Sequence, residues 1–227
     1  MAPPSRDTLA AVAPYAIWMA LLFGLAATAA TYALRTALTA LALVALAPRG
    51  RAMLRPLWNG RAAAALAAGV LAGVAVCVLW IAPESIPWYR DFSLLGALGF
   101  GGGADNGPSP YDPAVCGWPL TWVRLFGSAF VIAPVEEFFY RAFLYRWLQR
   151  SDWTKVDPAR FDGSAFVWMV ALFALEHHTR LAAGAMAGAV YGFVAIRRGI
   201  GAAIVAHALT NLLLGLYVIH TGQWAFW

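Results

Sequence analysis

The stretch Phe126–Leu148, FGSAFVIAPVEEFFYRAFLYRWL, is almost wholly apolar, yet it carries Glu136 and Glu137 side by side and Arg141 a helical turn after Glu137. About 20 predominantly apolar residues suffice to cross a bilayer as a helix. Charged side chains at that depth are rare, face a bundle interior or a cavity, and mark functional sites. The stretch therefore reads as a membrane helix with its acids turned inward.

Composition agrees. The chain of 227 residues is 62% hydrophobic and 12% charged, with a mean hydropathy of +0.66, whereas a soluble domain is about half apolar and a quarter charged. The net charge is +5, and Lys155 is the only lysine. Loop arginines facing an anionic membrane explain that balance. No basic stripe alternates with exposed aromatics, so nucleic acid is excluded as a partner. Two cysteines are too few for a disulfide scaffold. Cys77 reads as a small core hydrophobe, and its nearness to the outer side, where Cys116 also falls, leaves a Cys77–Cys116 disulfide open.

Apolar segments at about 12–33, 35–47, 62–82, 118–148, 163–178, 181–197 and 200–219 predict an all-α fold, a polytopic membrane helical bundle of about seven transmembrane helices. Residues 1–227 form one integral-membrane domain with a motif-bearing core at about 118–219. A weak n-region, in which Asp7 follows Arg6, argues for a retained first helix over a cleaved signal peptide. Loop 48–61 holds Arg49, Arg51, Arg55 and Arg61; loop 146–162 holds Arg146, Arg150, Lys155 and Arg160; Arg197 and Arg198 close the sixth span. Seven spans with a cytoplasmic amino terminus put all three clusters inside and the carboxyl terminus outside. The expected location is the bacterial inner (cytoplasmic) membrane. Trp80, Trp88, Trp118, Trp122, Trp147, Trp153 and Trp224 fall near span ends, as an interfacial belt would.

The loop at about 83–117 is expected outside, polar and flexible. Its GFGGGAD glycines lack the surrounding strand and helix that a dinucleotide site needs. Gly184, Gly188 and Gly192, and likewise Gly69 and Gly73, read as ridges for close helix packing.

The chemistry lies in three segments. Glu137 and Arg141 are spaced for an ion pair with the acid first, which leaves Glu136, about 100° round the helix, for a cavity. Phe173 and His177 share one helix face, as do His207 and Asn211. A glutamate and two histidines on separate spans can activate water, with Glu136 as general base and His177 orienting the water or sharing its proton. His207 and Asn211 can then donate to an oxyanion. The same Glu136, His177 and His207 also form a zinc ligand set, should a metal bind. There is no HExxH. A purely structural polar network is the bland alternative for Glu136, Glu137 and Arg141. Glu176 and Arg180, also four apart, read as a surface pair; His178 reads as supporting or interfacial, and His220 as interfacial.

EEFFYR (Glu136–Arg141), FALEH (Phe173–His177) and HALTN (His207–Asn211) resemble the EExxxR, FxxxH and HxxxN motifs of the CPBP intramembrane proteases. That family includes type II CAAX prenyl endopeptidases and abortive-infection proteins. The resemblance implies an endopeptidase acting on a membrane-associated protein or peptide substrate. It implies Glu136 as water activator with His177 as its partner, and His207 with Asn211 at the oxyanion. Glu137, Arg141 and Phe173 take supporting places. The family has been described both as metal-dependent, with zinc, and as a metal-free glutamate protease, so the cofactor stays open. Compact size and the HALTNLLLGLYVIHTGQW ending look most like exosortase-associated CAAX protease-related proteins. The competing reading is a non-enzymatic scaffold or immunity-type protein that keeps the motifs as a structural network. A proton-relay transporter fits less well, because no matched broken spans or inverted repeat are present.

Overall fold

The computed structural model describes residues 5–90 and 109–227, and every regular element among them is helical. Seven helices organise the chain: α1 (Arg6–Gly24), α2 (Ala29–Leu46), α3 (Ala62–Ile81), α4 (Trp118–Gln149), α5 (Gly163–Glu176), α6 (Leu181–Arg198) and α7 (Ile200–Thr221). Six are long and apolar enough to cross a membrane; the chain is a multi-pass membrane protein.

The expected fifth span is the exception. Helix α5 has 14 residues, about 21 Å at 1.5 Å per residue, against a hydrocarbon core of about 30 Å. It begins where the Asp162 carboxylate accepts from the Ala165 N–H at 2.9 Å and ends before His177, whose ψ of 42° leaves the helical path. The predicted first break also moves. Thr28 and Thr31 form a capping box that starts α2 at Ala29, so the run of small apolar residues near 25–30 is a turn between two spans.

Two glycine ridges set the helix spacing. A Cβ on Gly69 or Gly73 would stand 2.6 Å from the Ala202 or Ala206 carbonyl oxygen, so α3 and α7 touch backbone to backbone. On α6, added Cβ atoms would meet the His177 side chain at Gly184, Phe173 at Gly188, and Met169 and Phe166 at Gly192. These contacts press α5 onto α6 and seat both FxxxH side chains. At the α6–α7 joint, Gly199 has φ +92°, and the Leu57 and Pro56 carbonyls leave no room for a Cβ.

Some expectations shift. Trp153 is buried rather than interfacial, and its indole N–H donates to Thr8 Oγ1 at 3.0 Å. Arg146, counted above among the loop cations, is buried and donates to the Ala52 carbonyl at 2.8 Å. Cys77 and Cys116 are free. Of the expected flexible loop, GFGGGAD lies outside the described residues, whereas Pro87–Arg90 and Pro113–Cys116 are short helices.

Candidate active site

Helix α4 carries the two glutamates in a local setting that the sequence does not announce. Its α-helical turn Ala133–Glu137 is bracketed by wider π-helical segments, Ser128–Ile132 and Phe138–Leu144. Such segments leave carbonyls with altered partners and occur often at functional sites. Here the Ser128 carbonyl takes the Ala133 N–H and, from α7, the Asn211 Nδ2 at 3.0 Å.

Glu137 is fully buried and doubly engaged. Its Oε1 lies 3.0 Å from Arg141 Nη1 and 2.9 Å from His207 Nδ1. The Arg141 guanidinium also donates to the Gly188 carbonyl at 3.3 Å and sits 4.2 Å from the Phe173 ring centre. An ionised carboxylate only accepts, so His207 Nδ1 carries a proton and Nε2 is the presented atom; it lies 3.8 Å from Glu136 Oε2. The same logic fixes His177, whose Nδ1 is 2.9 Å from the Phe173 carbonyl oxygen. Tyr191 stacks on the His207 ring at 4.7 Å, and Trp80 meets the His177 ring edge-on at 5.4 Å.

These groups face one cavity of about 250 Å³, lined among others by Ser128, Glu136, Phe173, Glu176, His177, His207 and Asn211. A water needs about 10–15 Å³ of such space, so several fit. The four motif side chains expected to act together, Glu136, His177, His207 and Asn211, thus border the same space. Glu137 and Arg141 stand behind it.

Glu176 corrects an expectation. It does not pair with Arg180. The Tyr15 and Tyr140 hydroxyls donate to its Oε2 at 3.0 and 2.8 Å, while Arg180 reaches Glu84 at 2.6 Å. Four-residue spacing implies a shared face only while a helix continues, and α5 ends at Glu176. The only sequence signal for Glu176 was its position beside His177 at the end of an apolar run. Nothing in the sequence pointed to Tyr15, from the first helix.

Residues 118–213 match the model of a family described as type II CAAX prenyl endopeptidase Rce1-like. Over that segment the chain is similar to this family. The match takes in all three motifs and covers less than half of the chain. Searches of curated proteins and of solved structures found no match. As for the zinc set, Glu136, His177 and His207 line one cavity, but among the described residues no three His, Cys, Asp or Glu side chains are grouped closely enough to hold a metal ion. In this arrangement they do not fit a metal.

Proposed function

We propose that the chain is an intramembrane endopeptidase that hydrolyses a peptide bond of a membrane-associated protein with water activated by Glu136. One observation carries the reading. Of the three acids gathered here, Glu137 is held by Arg141 and His207, and Glu176 by two tyrosines. Glu137 Oε2 and Glu136 Oε2 are both buried without a hydrogen-bond partner, but of these two glutamates Glu136 is the one that lines the cavity, and no other side chain among the described residues hydrogen-bonds to it. A buried acceptor left unpaired costs stability, and a water in the cavity is its natural partner.

In the proposed reaction, Glu136 takes a proton as the water oxygen bonds to the scissile carbonyl carbon, while His177 Nε2 accepts the water's other hydrogen bond and orients it. Charge develops on the carbonyl oxygen. Asn211 spends one amide N–H on the Ser128 carbonyl and has a second for that oxyanion. His207 Nε2 faces the same space and adds a second donor when it carries a proton. The intermediate collapses as the C–N bond breaks, and Glu136 returns its proton to the leaving amine. The four arginines between α2 and α3, Arg49, Arg51, Arg55 and Arg61, support a bacterial inner-membrane setting with the amino terminus in the cytoplasm.

The test is Glu136→Gln, which keeps shape and removes the base. Comparative membrane proteomics of wild type and variant should reveal a substrate whose new terminus disappears in the variant, with the variant present in the membrane at wild-type amount. Wild-type processing by Glu136→Gln refutes the proposal and favours the scaffold.

A further inference from the structure

The cavity has a positive pole that the reaction above does not use. Arg124, three turns before Glu136 on α4, lines the same space. Its guanidinium is held among three rings, 4.4 Å from the centre of Tyr32, 4.8 Å from Tyr111 and 5.6 Å from Trp227. Its Nε is shielded and has no hydrogen-bond partner. Behind it, buried Arg35 lies 4.7 Å from the Trp18 ring centre and 5.5 Å from Tyr32, again with Nε unpartnered. Among the described residues, no carboxylate forms an ion pair with either arginine.

Aromatic faces hold a cation but do not neutralise it. A charged side chain within a membrane bundle is costly unless paired. Arg141, 17 residues further along the same helix, illustrates the usual remedy with Glu137; Arg124 has the cage and lacks the anion. We infer that Arg124 is a substrate-recognition residue that binds a carboxylate of the polypeptide being cut, the charge complement arriving with the substrate. This rests on the cavity being the substrate site.

The spacing limits where that carboxylate sits. Twelve residues of helix separate Arg124 from Glu136, about 18 Å at 1.5 Å per residue. An extended peptide covers that in about five residues, and the reach of the arginine side chain shortens the count. The carboxylate therefore lies within about five residues of the scissile bond. Either an acidic side chain or a free carboxyl terminus supplies the same chemistry.

Binding separates this inference from the cleavage reaction. Full-length Glu136→Gln protein in neutral detergent is titrated with fluorescent eight-residue Leu/Ala peptides. One carries an internal Glu and an amidated terminus; one carries Gln and a free carboxyl terminus; one carries Gln and an amide. At least one carboxylate peptide should bind about tenfold more tightly than the neutral one, as a hydrogen bond to a charged group implies. Adding Arg124→Gln should reduce the ratio to about one, and Arg124→Lys should keep part of it. Intrinsic tryptophan fluorescence and gel filtration establish that the variants are folded. Equal binding of all three peptides, or an undiminished preference in folded Arg124→Gln, overturns the inference. So does a preference that is absent in phosphatidylcholine nanodiscs, where no anionic lipid competes for the site. None of these results bears on whether Glu136 activates water.

Discussion

Replacing Arg141 by alanine removes the partner of a carboxylate that has no access to water. Glu137 is 0% exposed and lies 3.0 Å from the guanidinium; at an effective dielectric constant of about 20 that contact corresponds to roughly 5 kcal/mol of attraction. His207 still donates to the same oxygen at 2.9 Å, which offsets part of the loss. Lost as well are the bond to the Gly188 carbonyl and the contact with the Phe173 ring. The net expectation is a destabilisation of about 3–5 kcal/mol, the usual cost of stranding one member of a buried pair. Equilibrium unfolding of the purified protein in mixed micelles, followed by tryptophan fluorescence, measures it. The double variant Glu137→Gln/Arg141→Met leaves no buried charge at this contact and should recover at least half of the deficit. If Arg141→Ala stays within about 0.5 kcal/mol of wild type, the range of an ordinary surface change, the buried-pair reasoning is refuted. It is refuted equally if the double variant is no more stable than the single one.

Three further outcomes are expected. Asn211→Ala should lower turnover by about 100- to 1,000-fold, the usual cost of one oxyanion donor, with little change in melting temperature; the comparison is turnover of an identified substrate by equal amounts of folded protein. Activity should survive exhaustive chelation, and metal analysis should find less than one zinc per chain, because the donor set is not grouped for a metal ion; loss on chelation with recovery on zinc addition would show the contrary. Reporter fusions at Trp58 and Asp105 should report opposite compartments, with Trp58 inside, as the arginine distribution requires.

The residues alone specify the membrane-embedded helical character, because an uninterrupted apolar run has no other stable solvent and helices satisfy their backbone internally. They also bring together Glu137 and Arg141, because an i,i+4 contact is a local property of a continuous helix. The three motifs are legible for the same reason, each lying within two turns of helix. What the motifs share is a cavity, and that is decided by packing: backbone contact at Gly69 and Gly73 sets α7, and the Gly184–Gly192 ridge seats Phe173 and His177. Tertiary structure also gives His207 to Glu137 across 70 residues, turns Glu176 from Arg180 toward Tyr15 and Tyr140, and leaves Arg124 among aromatic rings without an acid. Periodicity cannot announce such pairings, since partners far apart in the chain meet only when whole helices settle against one another. The end of α5 is legible to within two residues, about 178 expected against Glu176, because the apolar run stops at the paired histidines.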